Sequence, residues 1–334
     1  MKIAVITLVG PAEDYERLRA AGHELVFGPA RNQAGTRLTL DELVEVAGES
    51  DCLIYNVLTP AILAALPMLK LAITPYVGYD KIDISAATTA GVLVCNTQTE
   101  ASTAGMAEGT LALMLNSAKR LQLRSGRLRD GNWRDNGTER ATLIHGSTIG
   151  IVGFGAIGQS LALHIAGWGA RVLAYTRTPN PNLARELGVE MIDLPTLLEQ
   201  SDIVTLHVPL TLETRGLIGE AELRSMKPNA LLINTARGAV VDDAALIRAI
   251  NEDWIAGAAL DVFHEEPLPA NDPLRALDPD RVFMTPHAAS NTDSARRSTQ
   301  HAVVDSILAI AEGVVPSNAL NPGLGAPVLD FAGT

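Results

Sequence analysis

The stretch that most constrains this chain is Thr148-Ile149-Gly150-Ile151-Val152-Gly153-Phe154-Gly155-Ala156-Ile157-Gly158. A short apolar strand runs straight into the spacing G-x-G-x-x-G. Helical spacing follows over 159–168, and a second strand is expected at 171–175. That order of strand, glycine turn, helix and strand is the setting in which the glycines read as a dinucleotide fingerprint. Gly153 permits the tight turn, Gly155 lets the backbone approach a pyrophosphate, and Gly158 lets the helix pack close to its strand. Phe154, Ala156 and Ile157 complete the turn. The phosphates then meet the helix N-terminus, where unpaired N–H groups and the positive end of the dipole converge.

The fingerprint begins near the middle of 334 residues, so a long segment ahead of it must build something else, and the length favours two domains. Apolar strands are expected at 2–8, 24–27, 52–55, 71–73 and 92–94, with helices at 12–21, 40–47 and after Pro60. Such alternation implies parallel βαβ units, and residues 1–98 read as an α/β domain without a glycine-rich phosphate loop. From Ser102 to about Arg129 the spacing predicts one long helix, suited to carrying the chain between domains. Further strands are expected at 203–207, 230–234, 256–261 and 282–284, with helices between them, notably 242–251. A last helix after Asn291 leads into a Pro/Asn/Gly-rich tail.

Charge and cysteine content remove several function classes. The formal net charge is −12 and no Lys/Arg block is long enough to track phosphates, which argues against nucleic-acid binding. Cys52 and Cys95 are the only cysteines and sit in apolar runs, so they read as buried free thiols rather than metal ligands. The N-terminus lacks the regions of a signal peptide, and no apolar run reaches membrane-spanning length. A soluble, cytoplasmic protein without membrane contact is the expectation.

Three segments carry the chemistry: Asn234-Thr235-Ala236-Arg237-Gly238, Asp261-Val262-Phe263-His264-Glu265-Glu266-Pro267-Leu268 and Thr285-Pro286-His287-Ala288. Each begins at the C-terminal end of an expected strand, the edge at which open parallel sheets bind ligands. Arg237 offers a planar, permanently charged, two-pronged donor for a carboxylate. His287 is suited to protonate a carbonyl oxygen as hydride arrives, since histidine titrates near working pH. Glu266 would orient His287 and favour its charged form.

With these motifs the chain resembles the D-isomer-specific 2-hydroxyacid dehydrogenase family, and within it the glyoxylate/hydroxypyruvate reductases. The likeness extends through Leu206-His207-Val208-Pro209-Leu210-Thr211-Leu212-Glu213-Thr214 and the early Val77-Gly78-Tyr79-Asp80-Lys81-Ile82-Asp83. It implies an α/β fold of two doubly wound parallel-sheet domains, a Rossmann cofactor domain (99–293) inserted into a flavodoxin-like substrate domain (1–98 and 294–334). It also implies that the backbone of Val77 and Gly78 holds the substrate carboxylate with Arg237. Asp261 is expected near the nicotinamide carboxamide, and His207, Val208, Pro209, Thr214, Thr235 and Ala236 along the cofactor. A homodimer is the family expectation, and no metal is called for. The alternative is a dinucleotide-sensing protein, since the family resembles certain corepressors of the same fold. The intact Arg237, Glu266 and His287 favour the enzyme.

The sequence departs from the family pattern in one informative place. NAD-dependent members end the second strand of the cofactor domain with an acidic residue that binds the ribose 2′-OH. Here that place reads Thr176-Arg177-Thr178. Loss of the carboxylate removes repulsion against a 2′-phosphate, and Arg177 adds a charge-assisted donor flanked by two hydroxyls. NADP(H) is therefore the expected cofactor, with NAD(H) possible. Formate-oxidising relatives carry Gln where Glu266 stands, and phosphite-oxidising relatives Lys at Val77. Phosphoglycerate-oxidising relatives have an Arg in the run that here reads Tyr55-Asn56-Val57-Leu58-Thr59. A small unphosphorylated 2-keto acid remains. Asn56 is a candidate donor to a substrate hydroxyl, although a loop Asn more often caps its own backbone.

Overall fold

The computed structural model describes residues 1–29, 38–133 and 141–325, and the chain divides into two compact units, Met1–Ser102 with Thr292–Thr334 and Thr103–Asn291. The end of the Pro/Asn/Gly-rich tail, beyond Gly325, lies outside the described residues.

In the first unit the strands are β1 (Lys2–Val5), β2 (Glu24–Phe27), β3 (Cys52–Ile54), β4 (Leu71–Ile73) and β5 (Leu93–Cys95). The helices between them are α1 (Glu16–Ala20), α2 (Leu40–Ala47), α3 (Pro60–Ala65) and α4 (Ile84–Thr89). All strand pairs are parallel, in the order β2-β1-β3-β4-β5, the flavodoxin-like arrangement. Continuous apolar strands are what a sheet covered on both faces demands. Ala4, Leu53, Ala72 and Val94 enter the core beneath α2, α3 and α4, whereas Ile3, Val5, Cys52, Ile54, Leu71, Ile73, Leu93 and Cys95 enter the opposite core. Cys52 and Cys95 are free and buried there, as their sequence setting suggests.

The chain passes to the second unit inside α5 (Glu100–Lys119), between Ser102 and Thr103, and continues into α6 (Leu121–Arg129). The sequence suggests one helix here; the structure breaks it at Arg120, which adopts a left-handed φ of 52°. The Asn116 side chain accepts the Gln122 N–H at 3.0 Å, satisfying a donor at the start of α6. That local bond offsets the cost of about 1–2 kcal/mol for a non-glycine residue in this region.

The second sheet contains β6 (Thr148–Val152), β7 (Arg171–Tyr175), β8 (Val189–Met191), β9 (Ile203–Leu206), β10 (Leu231–Asn234), β11 (Gly257–Leu260) and β12 (Val282–Met284). Helices α7 (Ala156–Ile165), α8 (Pro181–Glu186), α9 (Leu194–Gln200), α10 (Glu220–Ser225) and α11 (Asp243–Asn251) connect them. The order β12-β11-β10-β9-β6-β7-β8, parallel throughout, is the Rossmann order with one strand added at the β12 edge. Its direction of winding reverses between β6 and β9, so the fingerprint turn after β6 lies at the switch point. Strand β8 lacks a clear apolar signal because only Val189 of its three residues is fully buried.

The last helix, α12 (Asp293–Ala311), belongs to the first unit. Val303, Val304, Ile307 and Ile310 pack into the same core as Ile3 and Leu71. At roughly 1.5–3 kcal/mol for each buried aliphatic side chain, this helix is an integral layer of that unit.

Candidate active site

The glycine turn behaves as its spacing suggests, each glycine for a separate reason. Gly153 has φ 102°, and a Cβ there would stand 2.6 Å from the carbonyl carbon of His207. Its N–H continues the ladder to the Tyr175 carbonyl at 2.8 Å, which sets Thr176 and Arg177 beside the turn. At Gly158 a Cβ would meet the Gly153 carbonyl oxygen at 2.4 Å, so close helix–strand packing requires glycine. Gly155 differs: a Cβ would meet nothing within 4 Å. It occupies the N-cap of α7 without supplying a side-chain cap, so the first N–H groups of that helix remain available. Open space above an uncapped helix start fits a pyrophosphate, with Phe154, Ala156 and Ile157 completing the cradle.

Arg177 and Thr178 are exposed, and Thr176 is half-buried. On the other side of the turn, after β9, come His207, Val208, Pro209 and Thr214. The Thr214 hydroxyl donates to the Pro209 carbonyl at 2.6 Å and accepts the Thr211 N–H at 2.8 Å, closing this loop upon itself. Glu213 in the same loop has its carboxyl held below the usual range, first by the Thr211 hydroxyl and also by the charge of Arg177. His207 is half-buried with Nε2 3.0 Å from the Thr205 hydroxyl, and desolvation pushes its pKa down to about 4. It is therefore a neutral imidazole at neutral pH.

The three chemistry-bearing segments leave neighbouring strands at one edge of the sheet. After β10, the fully buried Asn234 closes the turn that presents Arg237. Its amide donates to the Arg237 carbonyl at 2.9 Å and its carbonyl oxygen accepts the Ala236 N–H at 3.0 Å. The Arg237 guanidinium also donates to the Ala236 carbonyl at 2.7 Å. At Gly238 a Cβ would lie 2.0 Å from the carbonyl carbon of Phe263, so the Arg237 turn packs directly on the segment leading to Glu266. After β11, one Glu266 oxygen accepts the Phe263 N–H at 3.1 Å and the other lies 2.9 Å from His287 Nδ1. The pair is partly exposed, with side-chain exposures of 40% for His287 and 28% for Glu266.

His287 follows β12 with a left-handed φ of 51°. Asp261 holds that conformation in place. Its fully buried carboxylate accepts the Thr285 hydroxyl at 2.6 Å and the N–H groups of Ala288 at 2.8 Å and Ala289 at 3.0 Å. Both of its oxygens thus serve the loop carrying His287. The motif spacing identifies Asp261 but gives no sign of these bonds, because they span 24–28 residues of chain. Helix α5 braces the same loops: a Cβ on Gly109 would meet the Ala289 carbonyl oxygen at 2.1 Å, and the Thr110 hydroxyl lies 3.0 Å from that of Thr235.

In the first unit, Asn56 follows β3, and Val77 and Gly78 follow the adjacent β4. The Asn96 side chain pins the second loop by donating to the Val77 carbonyl at 3.0 Å. Among the described residues neither the Val77 nor the Gly78 N–H has an acceptor. The Asn56 amide likewise has no partner among them, which corrects the expectation that it caps its own backbone. No helix of the described residues is long and apolar enough to cross a membrane, and among them no His/Cys/Asp/Glu group could hold a metal.

Comparison with known proteins agrees with this arrangement. The family model for the D-isomer specific 2-hydroxyacid dehydrogenase NAD binding domain matches residues 111–289. The chain is 43% identical over 288 residues to a glyoxylate reductase of Thermococcus litoralis, covering 84% of this chain and 86% of that one. It is 41% identical over 294 residues to a glyoxylate reductase of Aeropyrum pernix, again covering 84% and 86%. Among solved structures, D-lactate dehydrogenase from Aquifex aeolicus, complexed with NAD and lactic acid, superposes with TM-score 0.82 at 29% identity, covering 95% of this chain and 98% of that one. The uncapped fingerprint helix and the matched family model together specify a nicotinamide dinucleotide, and the chain belongs to the D-isomer-specific 2-hydroxyacid dehydrogenases, enzymes acting on small keto and hydroxy acids.

Proposed function

We propose that this enzyme is an NADP(H)-preferring reductase of glyoxylate and hydroxypyruvate. The observation that carries the cofactor preference is Arg177, exposed one residue beyond the position where a 2′-OH-binding carboxylate would stand. Thr176 occupies that position and Thr178 adds a second hydroxyl. The names of the Thermococcus and Aeropyrum relatives support the substrate class. In this reading the second unit is the dinucleotide-binding domain and the first the substrate domain, in which Asn56 and the Val77 and Gly78 N–H groups are the substrate contacts.

A nicotinamide dinucleotide held at the fingerprint turn would supply the hydride that reduces the keto acid. Arg237 holds the substrate carboxylate and stabilises negative charge growing on the carbonyl oxygen. His287 gives that oxygen its proton, and Glu266 keeps the imidazole oriented through the 2.9 Å contact at Nδ1. His207, Val208, Pro209, Thr214, Thr235, Ala236 and Asp261 form or support the cofactor wall. The free, buried cysteines suit a reducing compartment such as the cytoplasm. A homodimer through the second unit is supported by Leu121, Leu128, Trp133 and Leu143, all more than half exposed within one short span of sequence.

The test is a steady-state assay with NADPH and NADH in parallel against glyoxylate, hydroxypyruvate, pyruvate and phenylpyruvate, repeated with Arg177→Ala. Preference for NADPH that collapses in the variant supports the reading. Equal use of NADH by the wild type, or a preference unchanged in the variant, removes the cofactor claim. Turnover of pyruvate or phenylpyruvate alone removes the substrate claim.

A further inference from the structure

The contact between Thr110 and Thr235 fixes more than distance. The Thr110 hydroxyl donates to the Met106 carbonyl at 2.8 Å, in the bond a helical threonine makes to the residue one turn back. A hydroxyl has one proton, so a Thr110 that gives its own to Met106 meets the Thr235 oxygen 3.0 Å away as an acceptor. Either hydroxyl can donate at this distance, and the arrangement that gives both protons an acceptor has Thr235 as the donor. Its only proton points toward α5, and whatever lone-pair capacity it offers the site is that of an acceptor alone. Thr110 is fully buried and Thr235 nearly so, which keeps water from scrambling this order.

Thr235 sits in the turn that presents Arg237, at the reactive end of the site. We infer that Thr110 is a positioning residue that sets the hydroxyl of Thr235 as an obligate acceptor, and so selects a cofactor whose reactive end presents an N–H donor. The chemical group that meets this requirement is the carboxamide of the nicotinamide. This rests on Thr235 lining the cofactor, as proposed above. Thr110→Val keeps the shape of the side chain and removes its hydroxyl. The Thr235 proton then loses its acceptor and can turn into the site, where the same oxygen becomes a donor.

The experiment compares binding of the natural reduced cofactor with its 3-acetylpyridine analogue, whose ketone can only accept, measured by fluorescence titration without substrate. Wild-type enzyme and Thr110→Ser should favour the carboxamide form. In Thr110→Val the ratio of the two affinities should fall at least fivefold, by weaker carboxamide binding, tighter ketone binding or both. An unchanged ratio in Thr110→Val, with binding intact, overturns the proposal alone. An equal loss in Thr110→Ser also overturns it, because the methyl rather than the hydroxyl would then matter. A wild type that binds neither dinucleotide overturns this proposal together with the cofactor site beneath it.

Discussion

Glu266 lies 2.9 Å from Nδ1 of His287 while its other oxygen accepts the Phe263 N–H at 3.1 Å. The second bond anchors the carboxylate to its own backbone, so the first can hold the imidazole in one orientation. On the proposed mechanism, replacing His287 by Gln or Ala removes the proton source and should lower kcat by about 10²–10⁴-fold. Glu266→Gln keeps shape and the backbone contact but replaces the carboxylate that holds His287 Nδ1, and should cost about 10–100-fold. Pre-steady-state kinetics with protiated and deuterated cofactor would check this. A Glu266→Gln enzyme with unchanged kcat and pH profile would show that the carboxylate is only a structural bond.

The glycine turn offers a separation of folding from function. Gly155→Ser introduces a side chain into open space at the N-cap of a helix that has no cap of its own. Serine is a favoured N-cap, so stability should hold or rise slightly. The same N–H groups cannot serve both a hydroxyl and a phosphate, so dinucleotide affinity should fall at least about tenfold. Gly153→Ala should instead destabilise the protein, because φ is 102° and the His207 backbone stands 2.6 Å away. Thermal melting and cofactor titration of both variants distinguish the two cases. Unimpaired cofactor binding by Gly155→Ser would remove the phosphate from this position.

The contrast between those glycines and other parts of the site shows how far the sequence could be read. The fingerprint, Arg237, Glu266 and His287 are legible because each ends or follows an apolar strand, and parallel sheets gather such ends at one edge. The two cores of the first unit are legible for the same reason, as β1 sends Ile3 and Val5 one way and Ala4 the other. Asp261 is legible as a motif residue, but its grip on Thr285, Ala288 and Ala289 is not, because nothing local records which distant N–H groups will meet it. Thr110 and Thr235 lie 125 residues apart, and their contact exists only once α5 has packed on the sheet. Arg120 breaks a helix without Gly or Pro to announce it; the sole local sign is Asn116 one turn earlier.

The exposed apolar residues after α5 predict an assembly state. Leu121, Leu128 and Trp133 have exposures of 52%, 56% and 79%. A surface of that character is costly to leave in water and is suited to a second copy of the chain. Light scattering after size exclusion should give a dimer for the wild type. The double variant Leu128→Asp, Trp133→Ser should shift it toward monomer while the second unit stays folded by circular dichroism. A wild type that is monomeric at micromolar concentration would dispose of the dimer.

His207 predicts an acid limb in the stability of the protein. Its pKa is lowered from 6.5 to about 4 by desolvation, so the folded state takes up a proton less readily than the unfolded chain. Between these values the unfolded state binds more protons, and stability must rise with pH. The contribution is complete above about pH 6.5 and is lost progressively as pH falls to about 4, where the folded form also protonates. The shift corresponds to at most about 3 kcal/mol, and less in so far as the half-buried ring retains water. His207→Gln keeps a hydrogen-bonding side chain beside Thr205 and removes the titration. Urea unfolding at intervals from pH 4 to 7 should therefore give a flatter profile for the variant than for the wild type. Parallel profiles would mean that His207 is protonated equally well in both states, and that the acid limb belongs to other groups.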